Sequence, residues 1–419
     1  LLGYNEIGTV LKRQLILGEV FIMEYKFAKR MAGMQASAVR EILKVTQRPE
    51  VISFAGGLPA PELFPVEEIG KVCQEVCAAE GHKVLQYATT EGRPTLRAKI
   101  ADRMNRKYKS HLKAENILIT TGSQQNLDMA GKIFFDEGDV VLMESPTYLA
   151  AINAFKAYQP VFKEVPTDEK GMIPEELDKI LAETPRAKLI YVIPDFQNPT
   201  GICWSLERRQ KFMEIVNKYN IPVLEDNPYG ELRYEGETLP SLQSMDTKDL
   251  VMAMGTFSKT FCPGLRIGWL AAPTTLMKEF VKVKQSADLH TSAFDQAIID
   301  RYMDEYSLDD HVAEINKLYK HRRDLLLKTM EETFTDGTTW THPEGGLFLW
   351  LTFPEGVSAR KVFDKCIEKN VAGVLGEFFY PNIKNDRHMR INYSNMPDNR
   401  IVEGVKRMAE ALKEIKEGK

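Results

Sequence analysis

A chain of 419 residues that is 43% hydrophobic and 27% charged has the bulk of a soluble globular protein with room for about two domains. Its 55 basic and 59 acidic side chains leave a net charge of −4, with no basic excess to neutralise a nucleic-acid backbone. Its longest apolar runs, such as 347–351, fall far short of the roughly 18 residues that a membrane-spanning helix needs.

In chain order, residues 1–22 read as an N-terminal extension ahead of Met23. It is basic at Lys12 and Arg13, interrupted at Gly18 and Glu19, and lacks the small-residue cleavage site of a signal peptide. No internal repeat, low-complexity tract or charge block follows. Cys73, Cys77, Cys203, Cys262 and Cys366 are scattered and odd in number, the usage of reduced thiols in a cytoplasmic protein. Cys73 and Cys77 can share a helix face, but two thiols without further ligands make a poor zinc site, and no metal is expected.

Short apolar runs at 116–121, 140–143, 189–193, 222–224, 251–254 and 267–271 end in Gly, Asp, Pro or Ser and read as buried strands. Amphipathic segments lie between most of them. This alternation, from about 95 to 275, predicts an α/β fold with a mostly parallel sheet covered by helices, whose ligands gather beyond the carboxyl ends of the strands. Residues 275–305 read as one long connecting helix. Strand patterns at 344–354 and 388–394 among helices then suggest a smaller α+β domain.

Four strand ends carry unusual polar residues. At Thr121-Gly122-Ser123-Gln124-Gln125 a strand gives way to a helix, whose unpaired N–H groups and dipole suit a phosphate; an ordinary Ser N-cap is the plainer reading. At Asn198-Pro199-Thr200-Gly201 an extended turn exposes Asn198, which can donate to a ligand oxygen, although such turns are common in loops. The run from Ile221 to Gly230 delivers Glu225 and Asp226 to a strand end with Tyr229 close behind. A carboxylate there favours a protonated heterocyclic nitrogen, and acidic strand ends also bind metals or cap helices.

The fourth, Gly255 to Gly268, sets Lys259 among small and hydroxyl residues. Lys259 reads as a nucleophile once desolvation or neighbouring cations release its lone pair; alone in such a loop it would be a solvated charge. Ser258 and Arg266 can serve a phosphate. Together the four ends offer an amine for a carbonyl, an acid for a pyridine nitrogen, polar groups for a phenolic oxygen and a nest for phosphate. Pyridoxal 5'-phosphate has those four features, and Lys259 as Schiff-base partner with Asp226 at the ring nitrogen fits how it is commonly held.

These segments, with Ser53-Phe-Ala-Gly-Gly-Leu-Pro, Leu85-Gln-Tyr-Ala-Thr-Thr-Glu-Gly and Met389-Arg-Ile-Asn-Tyr-Ser, resemble the fold-type I pyridoxal-phosphate aminotransferases of class I/II. The resemblance covers most of the chain, and within the group it runs to the branch of 2-aminoadipate and kynurenine aminotransferases and MocR-type regulator domains. It implies that Ser123, Gln124, Thr256, Ser258 and Arg266 hold the phosphate, that Tyr148 stacks on the ring, and that Asn198 and Tyr229 hold the ring oxygen. It further implies that Arg390 grips the substrate carboxylate near Gly57, and that Tyr87 reaches the phosphate of a second subunit in a homodimer with shared sites.

The implied activity is ping-pong transfer of an amino group between an L-amino acid and a 2-oxo acid, with Lys259 as anchor and proton shuttle. The implied divisions are 23–65 packing with the small domain, 66–300 the large cofactor domain and 301–419 the small one. Thr256 for the usual Ser, Asn227 for a frequent Asp, and Cys262 at a small apolar position depart from the pattern without removing a role; Cys262 reads as a buried small hydrophobe or as an oxidation-sensitive thiol.

Three rivals stand beside this reading. A β-lyase, decarboxylase or synthase can use the same cofactor on the same fold. A ligand-sensing domain of a DNA-binding regulator needs a winged helix that the segment before Met23 is too short to hold, and a dead scaffold would bind no cofactor. Phe348 and Leu58 suggest an apolar substrate pocket, while a partner-chain arginine such as Arg40 would suit a dicarboxylic substrate.

Overall fold

The computed structural model describes residues 11–16, 19–34, 48–335 and 337–418; Arg40 lies outside them. The large sheet has the strand order Ile117–Thr120, Gly268–Ala271, Val251–Thr256, Val223–Asp226, Ala187–Val192, Val140–Ser145, Val161–Asp168, Gly171–Met172. Neighbours from Val251–Thr256 through Val161–Asp168 are parallel. Gly268–Ala271 runs antiparallel to both of its neighbours, and Gly171–Met172 is antiparallel to Val161–Asp168.

Side chains alternate between the two faces of a strand, and both faces of this sheet are apolar. Leu118, Val141, Leu189, Leu224, Met252 and Leu270 face a cluster that includes Leu127, Phe155 and Phe280 from three helices, Ser123–Phe134, Leu149–Lys156 and Thr274–Ala287. On the opposite face Val140, Ile190, Val223 and Val251 meet Leu177, Phe212 and Val216 from Pro174–Ala182 and Leu206–Tyr219. Farther along that face Ile117, Ile119 and Trp269 pack with the Pro94–Tyr108 and Ala293–Glu305 helices. Burial on both faces is why these strands read as unbroken apolar runs.

A second, antiparallel sheet has the order Thr339–Trp340, Phe348–Thr352, His388–Asn392, Val374–Leu375. Its core joins residues of the Leu308–Thr333, Ala359–Glu368 and Asp398–Lys416 helices. Ile52–Ser53 pairs in parallel with Val371–Ala372, and Ile52 and Phe54 enter the same core. Near the N-terminus Leu11–Ile16 pairs antiparallel with Glu19–Glu24. No helix among the described residues is long and apolar enough to cross a membrane.

The single helix expected over 275–305 is instead two, Thr274–Ala287 and Ala293–Glu305. Leu289 turns left-handed at φ 64°, and the Ser292 hydroxyl accepts from the Asp295 N–H to cap the second helix. A left-handed residue followed by a new N-cap interrupts the helical ladder regardless of the apolar periodicity on either side. The Val161–Asp168 strand was not among the expected ones. Only Val165 of it is fully buried, and Pro166 within it is a residue tolerated chiefly on edge strands.

Candidate active site

The expected edge is where the polar residues meet. Along Val223–Asp226 the side-chain period of two separates two adjacent carboxylates. Glu225 accepts the backbone N–H groups of Leu242 and Gln243, both at 2.9 Å, and so braces a loop. Asp226 faces the other way, into a cavity of about 180 Å³ that Lys259, Tyr229, Tyr148, Ser123 and Arg266 also line. The sequence reading delivered both carboxylates to this end; the structure assigns only Asp226 to the cavity.

Burial sets the charge states there. The Asp226 carboxyl is pushed up to about 7 by burial, against the opposing hydrogen bond from the Tyr191 hydroxyl to Oδ2 at 2.7 Å. Its Oδ1 is buried with no hydrogen-bond partner. The Lys259 ammonium is brought down to about 8, chiefly by burial and then by the Arg390 and Arg266 cations, and its Nζ donates to the Gly57 carbonyl at 2.6 Å. An amine near 8 is a usable nucleophile and base at neutral pH; an ordinary lysine is not.

Ile117–Thr120 ends at Gly122, whose φ of 75° and ψ of 167° lie in a region open essentially to glycine. The helix starting at Ser123 has Gly122 as its N-cap with no side-chain bond, so the ordinary Ser-cap reading does not hold. The Ser123 hydroxyl oxygen is instead buried and unpartnered. A Cβ on Gly122 would sit 2.6 Å from Nη2 of Arg266, so only a glycine lets the guanidinium close on this turn. Thr256 and Ser258 hydroxyls are 2.9 Å apart, and Arg266 reaches Ser258 Oγ at 3.5 Å. Gln124 and Arg266 are exposed at the rim.

Arg390 lies on His388–Asn392 opposite Trp350. Its Nη1 donates to Asn198 Oδ1 at 2.8 Å and its Nη2 to the Ala55 carbonyl at 2.6 Å. The guanidinium carbon stands 4.1 Å and 5.1 Å from the ring centroids of Phe348 and Phe379, and Nε is buried without a partner. Burial lowers it to about 10, so it stays cationic at neutral pH. Asn198 Nδ2 also lies 3.5 Å from the Tyr229 hydroxyl, which burial pushes up and keeps protonated. Gly57 is pressed against Phe348, whose Cζ would be 2.9 Å from an added Cβ.

Tyr148 caps the start of Leu149–Lys156 at the cavity wall. Tyr87 stands apart, 80% exposed, with its ring edge-on to His290. Cys262 is buried and its thiol pushed up to about 12 by that burial, which favours the small-hydrophobe reading. Sequence reasoning missed Tyr191. Its signal was parity: Tyr191 pairs in register with Leu224, so Asp226, two residues on, shares its face.

Three buried polar atoms without partners, Asp226 Oδ1, Ser123 Oγ and Arg390 Nε, surround a lysine tuned toward neutrality. Such orphaned groups call for a ligand, and this set fits a phosphorylated pyridine aldehyde together with a carboxylate-bearing substrate. The fold and site thus define a doubly covered α/β sheet with an amine-centred site on its carboxyl edge. The chain belongs to the family "Aminotransferase class I and II", whose profile matches residues 49–408.

It is 43% identical to aromatic-amino-acid aminotransferase 1 of Thermococcus litoralis over 98% of this chain and 99% of that one. Its fold matches that of the kynurenine aminotransferase of Pyrococcus horikoshii, solved with PMP, at a TM-score of 0.89 and 40% identity, covering 93% and 97%. It also matches that of the α-aminoadipate aminotransferase of Thermus thermophilus, complexed with N-(5'-phosphopyridoxyl)-L-leucine, at 0.88 and 36%, covering 94% and 98%.

Proposed function

We propose that the protein is a pyridoxal 5'-phosphate-dependent aminotransferase that carries an amino group from an L-amino acid to a 2-oxo acid in two half-reactions through one site. The observation that carries this is the shared cavity of Lys259 and Asp226, with Asp226 Oδ1 left free. When bound, the cofactor supplies a carbonyl carbon for an amine and an electron-accepting ring.

The residues then divide the work. Ser123, Gln124, Thr256, Ser258 and Arg266 would hold the phosphate, with Tyr87 of a second copy in a homodimer, a placement its exposure supports. Tyr148 would pack against the ring, Asn198 and Tyr229 would hold its oxygen, and Asp226 Oδ1 would keep a proton on its nitrogen. Lys259 Nζ would hold the aldehyde carbon and, when released, would be placed to take a proton from the substrate α-carbon. Arg390 orients the α-carboxylate beside Gly57. The divisions 23–65, 66–300 and 301–419 and a cytoplasmic site belong to the same reading; the five free cysteines support the latter.

Donors with aromatic or large apolar side chains are the proposed substrates. The names of the Thermococcus and Pyrococcus relatives support this, as does the apolar wall of Phe348 beside Arg390. The test is a panel of L-amino acids with 2-oxoglutarate as acceptor. Glutamate should form, with aromatic donors favoured over aspartate by roughly tenfold or more in kcat/KM. Carbon dioxide or pyruvate without glutamate would overturn the transaminase reading, and a preference for aspartate would overturn the substrate class alone.

A further inference from the structure

Outside the cavity, one lysine among the described residues is completely buried. Lys284 has a side-chain exposure of 0% and sits in the last turn of Thr274–Ala287, just before the break that splits the expected long helix. Its ammonium donates to Gln125 Oε1 at 2.8 Å, to Asp288 Oδ1 and Oδ2 at 2.8 and 3.0 Å, and to Thr291 Oγ1 at 2.9 Å. A buried ammonium persists only when its donors are matched in this way.

The acceptors lead to one place. Gln125 Oε1 also accepts the Thr121 backbone N–H at 2.9 Å. The Thr121 hydroxyl donates to Asp288 Oδ2 at 2.9 Å and lies 3.1 Å from Thr291 Oγ1. Thr121 and Gln125 are the residues on either side of Gly122, Ser123 and Gln124. Lys284 therefore clamps both ends of that turn without lining the cavity, drawing on Asp288 one helical turn on and on Thr291 beyond the helix break.

We propose that Lys284 is a positioning residue for the phosphate of the cofactor, holding the Gly122–Gln124 turn from behind so that its N–H groups and the Ser123 hydroxyl stay aimed at the anion. This rests on the phosphate assignment made above. Removing the ammonium takes a donor from both the Gln125 oxygen and the Asp288 carboxylate and leaves the turn held by the Thr121 bonds, a looser tie. The effect should fall on the phosphate contacts and spare the bond that Lys259 makes to the aldehyde.

The test is to titrate cofactor-free protein with pyridoxal phosphate and with pyridoxal, which lacks the phosphate, following visible absorbance. Wild type should favour the phosphorylated form strongly. Lys284→Met should reduce that preference by roughly tenfold to a hundredfold with pyridoxal affinity little changed, and Lys284→Arg should recover part of it. A preference equal to wild type in Lys284→Met would overturn the proposal. Should that variant fail to fold, Thr121→Val decides instead: it keeps the Lys284–Asp288 pair, and a drop of about threefold supports the proposal while an unchanged preference overturns it. A wild type that does not distinguish the two ligands, or a Ser123→Ala variant that does so as well as wild type, removes the phosphate assignment itself, an outcome separate from failure of the clamp.

Discussion

The two ends of the cavity solve opposite problems. At the Lys259–Asp226 end, burial moves both groups toward neutrality, the amine down to about 8 and the carboxyl up to about 7. At the Gly122–Ser123 end the work is done by backbone geometry, hydroxyls and an exposed arginine, with Gln124 and Arg266 at the rim. Proton chemistry is therefore tuned by exclusion of water, whereas the proposed phosphate anchor is built from a fixed backbone shape.

Breaking the first end should have the largest effect. Lys259→Ala should lower kcat/KM for amino transfer by roughly a thousandfold or more, with a melting temperature close to wild type. Residual transfer within tenfold of wild type would show that another base carries the proton.

Breaking the second end is a matter of shape. Gly122→Ala forces a side chain into a glycine-only conformation and within 2.6 Å of the Arg266 guanidinium. It should cost on the order of 1–3 kcal/mol in stability or phosphate contact, visible as a lower melting temperature and weaker cofactor retention on dialysis. Unchanged retention would mean that the turn is not where the phosphate sits.

The smallest effect sharpens the first end. In cofactor-free protein the Asp226 carboxyl is raised from 3.8 to about 7, so the fold prefers it protonated. The stability it contributes is present below about pH 4 and is lost as pH rises through about 7. Asp226→Asn should therefore melt close to wild type near pH 4 and a few degrees above it by pH 8. A difference that does not vary with pH would mean that burial leaves Asp226 unshifted.

The strand ends were legible in the sequence because a parallel sheet buried on both faces writes itself as apolar runs, and polar residues at their carboxyl ends stand out against that background. Asp226, Lys259 and the Gly122 turn were visible for this reason. Val161–Asp168 was hidden, since a strand covered on its outer side only by the short Gly171–Met172 and with one fully buried residue loses that signature. Tyr191 and Lys284 were hidden for another reason. One looks like core and the other like a charged helix face, and their partners lie 35 residues away at Asp226 and 159 residues away at Gln125. The helix break at 288–292 rests on the left-handed Leu289 and the Ser292 N-cap, signals that the apolar periodicity on either side outweighed.

Arg390 is one of the two cations that hold Lys259 low, the other being Arg266. A carboxylate docked on Arg390 and a phosphate at Arg266, as proposed above, would each offset one of these charges and raise the affinity of Nζ for a proton. On the proposed reading the lysine would lose its proton most readily before these anions bind and would be a stronger base once both are in place. The two arginines would in that way let the contents of the site adjust the proton affinity of one nitrogen.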